Sequence, residues 1–381
     1  MTPSRFVPRA LVWAAAVLLA AAAVSARQAA PASGVPEFKA DPSWPTLPAD
    51  VRWGQVIGIF ADARGHVWTS SQSRISEWDP AGHLVQSWDA RGPQGTWSTI
   101  HGLFVDHNGF VWTNARESHL TVKFTRTGQV ALVIGRFGET GGSNDTTLMG
   151  RPADIWVDPA DNEVFVADGY GNRRVIVFDG ATGKYLRHWG AYGKRPEDPP
   201  RPAGGGAGAA AAADGSVPEA PPSQLRVPHG IAGSRDGLIY VADRANNRIQ
   251  VFRQSGEFVR EKILRPHCGA EERAAWAPKR PCGGEATFSI AFSPDAAQTY
   301  LYSADGGSHV ITILRRSDLE IVGEFGGPGV GPGQLGRPHN VTVDPAGNLF
   351  VAEAAGPEVT DPATGAKRQA GFRAQKFARV R

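Results

Sequence analysis

Six stretches of the chain repeat one order of positions. Each has a short apolar–polar alternation, a turn rich in Asp, Pro, Asn or Gly, a second alternation, a polar turn and a third strand-like run. The copies begin at Gly54 (GQVIGIFADARGHVWTSSQSRISEWDPAGHLV), Ile100 (IHGLFVDHNGFVWTNARESHLTVKFTRTGQV), Arg151 (RPADIWVDPADNEVFVADGYGNRRVIVFDGATGKYL), Val227 (VPHGIAGSRDGLIYVADRANNRIQVFRQSGEFV), Thr287 (TFSIAFSPDAAQTYLYSADGGSHVITILRRSDLEIV) and Arg337 (RPHNVTVDPAGNLFVAEAAG). Period-two alternation punctuated in this way predicts strands, and helical periodicity is scarce. A small antiparallel sheet cannot bury both faces alone, whereas sheets packed radially cover one another and closing the ring protects their edges. The pattern therefore predicts an all-β, six-bladed β-propeller over residues 50–380, preceded by an N-terminal extension at 27–49. Most repeated polar residues have a turn-forming role: Asp106, Asp158 and Asp344 after the first strand, and Asp168, Asn172, Asp243 and Asn247 at the next hairpin.

Two tracts interrupt the pattern: a Pro/Gly/Ala-rich loop at 194–224, and a loop at 264–286 that holds both cysteines, Cys268 and Cys282. Residues 1–26 read as a signal peptide, with Arg5 and Arg9 before an alanine-rich apolar run and a small-residue exit at Val24-Ser25-Ala26. An exported chain, periplasmic or secreted, permits a disulfide between the cysteines, worth ~3 kcal/mol for so short a loop. The formal net charge is +3, with Arg5 and Arg9 in the leader, which gives no nucleic-acid footprint. No segment after the leader has the length and apolarity of a membrane span. A monomer is expected.

Histidine recurs at one phase of the repeat: His101 in the second copy, His229 in the fourth and His339 in the sixth. The same alignment puts Ala153 in the third copy, Ser289 in the fifth and Val56 or Ile57 in the first. If first strands line the channel, equivalent positions form a ring around the axis, and alternate members form a triangle. Three imidazoles converging in this way are the donor set of an open zinc site, with a position left for water or substrate. The remaining histidines, His66, His83, His107, His119, His188, His267 and His309, fall at scattered phases and are read as surface residues.

VADGYGNRRVIVF and VADRANNRIQVF resemble NHL repeats, a likeness that covers roughly residues 50–355. The contexts IHGLFVD, VPHGIAG and RPHNVTVD, with FVADGYGNRRVIVF, resemble the peptidyl-α-hydroxyglycine α-amidating lyases. That family is a six-bladed propeller with a zinc on three histidines and a catalytic tyrosine. The resemblance implies His101, His229 and His339 as ligands and Tyr170 as the tyrosine. An ordinary tyrosine, with pKa near ~10, is a poor base at neutral pH and needs cationic neighbours.

The sequence departs from the family at four places. The family's site arginine is replaced by Ser70 or Ser71, its methionine before the last histidine by Arg337, and its cysteine after the tyrosine by Gly171. Asn340 stands where the family has an acidic residue associated with a structural calcium, which weakens that expectation. Arg337, Arg74 or Arg116 is expected to restore the positive charge.

The implied activity is cleavage of a carbon–nitrogen bond in a hydroxylated amide, on a small-molecule or peptide substrate in the central channel. The other class left open is a non-catalytic NHL propeller that binds protein, peptide or glycan. Streptogramin-lyase-like or lactonase-like chemistry would use a different ligand set, which the residues do not favour.

Overall fold

The computed structural model describes residues 34–92, 95–198, 222–264, 285–360 and 365–380. The leader at 1–26, both cysteines and most of the 194–224 and 264–286 loops lie outside the described residues. Among the described residues there are six four-stranded antiparallel sheets and one short two-stranded hairpin, Glu358–Thr360 with Lys367–Gln369. The innermost strands of the six sheets are Val56–Ala61, Ile100–Val105, Asp154–Val157, Pro228–Gly233, Ile290–Phe292 and Pro338–Val343. Neighbouring innermost strands touch in cyclic order, and the sixth meets the first. The protein is thus a six-bladed β-propeller. No helix of the described residues is long and apolar enough to cross a membrane.

The core is divided into six layers, one between each pair of adjacent blades. Every second strand contributes one aromatic at the same register: Trp68, Trp112, Phe165, Tyr240, Tyr302 and Phe350, all buried. Burying a side chain of this kind contributes on the order of 1.5–3 kcal/mol, so the layers hold the blades radially and leave the axis to other residues.

The sixth blade is completed from the other end of the chain. Its sheet order places Phe38–Asp41 outermost, beside Arg373–Arg379, then Leu349–Glu353 and Pro338–Val343. Phe38 pairs with Arg379 and Asp41 with Lys376. Part of the segment assigned from sequence to an N-terminal extension therefore belongs to the ring.

Candidate metal centre and axial cavity

In the even blades the innermost strand bulges at its histidine. In the fourth blade Pro228 pairs with Asp243 and Gly230 with Ala242, which leaves His229 outside the ladder. In the sixth, Pro338 pairs with Glu353 and Asn340 with Ala352, which leaves out His339. The second blade steps from the Ile100–Ala115 pair to Leu103–Thr113, past His101. A bulge re-aims the residue it frees, and here all three imidazoles turn inward.

Each imidazole is fixed by a carbonyl of the next blade. His101 Nδ1 lies 2.7 Å from the Ala153 oxygen, His229 Nδ1 2.7 Å from that of Phe288, and His339 Nδ1 2.9 Å from that of Ile57. A carbonyl only accepts, so Nδ1 carries the proton and Nε2 presents its lone pair inward. Glycine follows two of the histidines for a steric reason. A Cβ on Gly102 would stand 2.7 Å from the Ala153 oxygen, and one on Gly230 2.7 Å from the Phe288 oxygen.

The three rings form a nearly regular triangle, with centroids 5.0, 4.8 and 4.7 Å apart. Their ligand atoms all lie within 4.8 Å of one another. Nitrogens ~2.0–2.1 Å from one tetrahedral zinc are about 3.3 Å apart, so modest side-chain movement closes the triangle onto an ion. Burial holds all three imidazoles neutral. It pushes His101 and His229 well below the usual histidine range and His339 down to about 3, with Arg244 adding to the last. Three buried neutral imidazoles with fixed tautomers fit a metal of zinc's preferences.

The carbonyls also identify the odd members of the ring as Ile57, Ala153 and Phe288. The fifth-blade member is therefore Phe288 and not Ser289: Phe288 N–H donates to the Ala304 carbonyl just as Ala153 N–H donates to that of Ala167. Ser289 points one residue further along the channel, where its hydroxyl donates to Asn340 Oδ1 at 2.8 Å. Phe288 packs between His229 and His339, with ring centroids 5.0 and 5.3 Å away. Alanine at 153 leaves the gap between His101 and His229 open, and the Tyr170 ring fills it, 5.3 Å from His101 and 5.4 Å from His229.

Tyr170 belongs to a second tier of side chains above the histidines. The Arg116, Tyr170 and Arg244 N–H groups donate to the carbonyls of Thr99, Arg151 and Val227, each two residues before its blade's ring member. Consecutive blades thus place arginine, tyrosine and arginine side by side. The Tyr170 oxygen lies 3.0 Å from His229 Nε2 and 3.3 Å from His101 Nε2. Arg244 Nη1 donates to it at 3.2 Å, and the Arg116 guanidinium lies 4.4 Å from the tyrosine ring centroid. Gly171 cannot carry the family's cysteine, because its Cβ would stand 2.6 Å from the Gly150 oxygen.

These groups open into a cavity of about 700 Å³ lined by His101, His339, Tyr170, Arg116, Arg244 and Arg337, among others. Of the arginines singled out from the sequence, Arg116 and Arg337 reach the cavity and Arg74 does not. Arg74 is exposed at the start of a third strand, where its Nη1 donates to the Ser87 hydroxyl. A third strand lies away from the axis, which is why it cannot serve. Arg244 and Glu285 were missed from the sequence. Glu285 accepts from both Arg244 and Arg337.

Two further placements differ from, or add to, the sequence reading. His309 is buried, with Nδ1 against the Gly336 carbonyl, and is not the surface residue its phase suggested. The channel's other mouth is a smaller cavity of about 300 Å³ whose lining includes Phe60, Phe104, Trp156, Asp154, Ser289 and Asn340. Asn340 is buried and neutral, and the carboxylate in this lining comes from Asp154 of the third blade, raised to about 7 by burial.

A family model described as NHL repeat matches residues 225–252. Peptidyl-glycine alpha-amidating monooxygenase of Mus musculus is 35% identical over 132 residues, which is 34% of this chain and 11% of that protein. The corresponding B protein of Xenopus laevis is 34% identical over 132 residues, 34% of this chain and 12% of its own length. The match to these relatives therefore spans only about a ninth of their length. NHL repeat-containing protein 3 of Mus musculus is 24% identical over 235 residues, 59% of each chain.

Among solved structures, a gluconolactonase from Xanthomonas campestris superimposes with a TM-score of 0.51 at 14% identity, covering 86% of this chain and 87% of that one. At that identity the likeness speaks to fold alone. The chain is a six-bladed propeller with an NHL repeat, homologous over about a third of its length to the peptidyl-glycine alpha-amidating monooxygenases.

Proposed function

We propose that this chain is an exported zinc protein that splits hydroxylated amides, with His101, His229 and His339 holding the metal and Tyr170 handling the proton. The observation that carries this reading is the tyrosine oxygen poised over two of the three inward-facing imidazole nitrogens, 3.0 and 3.3 Å away. Zinc, when bound, would acidify a substrate hydroxyl held beside it. Homology to the amidating enzymes supports the same chemistry.

The residues divide the work. Tyr170 Oη takes the proton from the hydroxyl of R–CO–NH–CH(OH)–R′. As that oxygen forms a carbonyl, the carbon–nitrogen bond breaks and its electron pair stays on nitrogen, which takes up a proton. The products are the amide R–CO–NH₂ and the aldehyde O=CH–R′, so no oxidant or reductant is required. Arg244 donates to the tyrosine oxygen and Arg116 covers its ring, which together hold the phenol over the histidines. Phe288 packs against His229 and His339 on another flank of the triangle.

The test is to supply N-benzoyl-α-hydroxyglycine and the neutral N-(hydroxymethyl)benzamide to the zinc-loaded protein and measure benzamide release. Release that is lost in Tyr170→Phe supports the assignment. A chain that holds one equivalent of zinc and releases no benzamide above the uncatalysed rate from either compound overturns it, and would leave a propeller that binds without catalysing.

A further inference from the structure

The arginines of the cavity look at first like a receptor for an anion, yet each is already engaged. Arg116 is paired with Glu117 through contacts of 2.9 Å. Arg244 and Arg337, on different blades, share the single carboxylate of Glu285. The three groups are 15%, 36% and 28% exposed, respectively, so water screens the pairing only in part.

Glu285 is fixed at the rim by its own backbone. Its N–H donates to the Arg244 carbonyl at 3.2 Å, and its carbonyl accepts from Gly307 N–H at 3.2 Å. Its φ of 103° lies in the left-handed range, as do those of Thr99, Arg151 and Val227, the residues that enter the three preceding blades. Of these four positions it is the one with a carboxylate. The two guanidiniums are also held by the ring of Phe288, 4.2 and 5.5 Å from its centroid.

A guanidinium binds a carboxylate tightly when two of its N–H groups are free to form a parallel fork. Glu285 takes one terminal nitrogen from each arginine, and the other terminal nitrogen of Arg244 is spent on Tyr170. It also supplies the negative charge that a substrate carboxylate would otherwise bring.

We propose that Glu285 is a specificity-determining residue that discriminates against a carboxylate on the ligand, so that the cavity favours neutral hydroxylated amides over those carrying an acid beside the reacting carbon. The inference deepens the lyase reading and rests on it only for the identity of the substrate. The preference between charged and neutral ligands is a property of the binding cavity whatever the chemistry.

The experiment is calorimetric titration of hippurate and its neutral amide, hippuramide, into the chelator-treated full chain, for the wild type, Glu285→Gln and Glu285→Ala. Chelation keeps a metal from recruiting the carboxylate. Both variants are expected to bind hippurate about tenfold more tightly, equivalent to about 1.4 kcal/mol, with hippuramide affinity unchanged within about twofold. Adding Arg337→Gln to either variant should remove the gain. Unchanged or weaker hippurate binding in folded Glu285→Gln and Glu285→Ala overturns the proposal. Failure of the lyase reading shows up separately, as the absence of benzamide release in the zinc-loaded wild type.

Discussion

Even and odd blades of this propeller share one strand order and one register, yet they bring different chemistry to the axis. The second, fourth and sixth each offer an imidazole. The first, third and fifth offer a backbone oxygen from Ile57, Ala153 or Phe288, which fixes the imidazole of the preceding blade. Donor and orienting group therefore always sit on different sheets. Because the orienting group is backbone, an odd-blade side chain is free to serve another purpose: Phe288 as a wall, Ala153 as the gap that admits Tyr170.

The sharpest way to break this division is to remove one even-blade imidazole. His229→Ala should take the purified protein from close to one equivalent of zinc to almost none by mass spectrometry, with loss of turnover. A variant that keeps its full equivalent would show that the triangle is not the metal centre. Next in size is Tyr170→Phe, which should keep the metal and lose about 10²–10⁴-fold in benzamide release, the usual contribution of a positioned proton acceptor. An odd-blade change should behave in the opposite way: Phe288→Ala should lose about 3–5 kcal/mol of stability in urea and still bind metal, since the carbonyl that orients His229 remains.

Acid separates the two sets more gently. The even blades bury neutral imidazoles whose folded pKa lies below the unfolded value, so on acidification the unfolded chain takes up protons first. Melting temperature of the chelator-treated protein should therefore fall steadily from pH ~6.5 towards about 3, the value for His339. Asp154, in an odd blade, runs the other way. Burial raises it to about 7, so its stabilising protonated form is fully present below ~3.9 and lost as pH rises through 7. Asp154→Asn should melt higher than the wild type at pH 8 and not at pH 4. A calcium ion held by Asp154 would reverse the sign.

Six blades and the histidine alternation were legible because turn residues and period-two patterning are local, and a repeat displays them six times. Register in the fifth copy was not legible. There TFSI carries neither histidine nor the glycine that marks a close approach, and the phase is fixed by the bonds of Phe288 to Ala304 and to His229. Arg116 and Arg244 did leave a sequence signal: they occupy one repeat position in the same blades as His101 and His229. Glu285 left none, since it precedes the recognisable start of its copy and meets its partners only once the ring has closed. Phe38–Asp41 was equally hidden, being four residues long and paired with a strand at the far end of the sequence.

That last pairing governs when the centre can exist at all. Phe38–Asp41 is synthesised long before its partner Arg373–Arg379, so His101 and His229 emerge before the sheet that carries His339 can be completed. Removing Phe38–Asp41 or Arg373–Arg379 would take a strand from the sheet that carries His339.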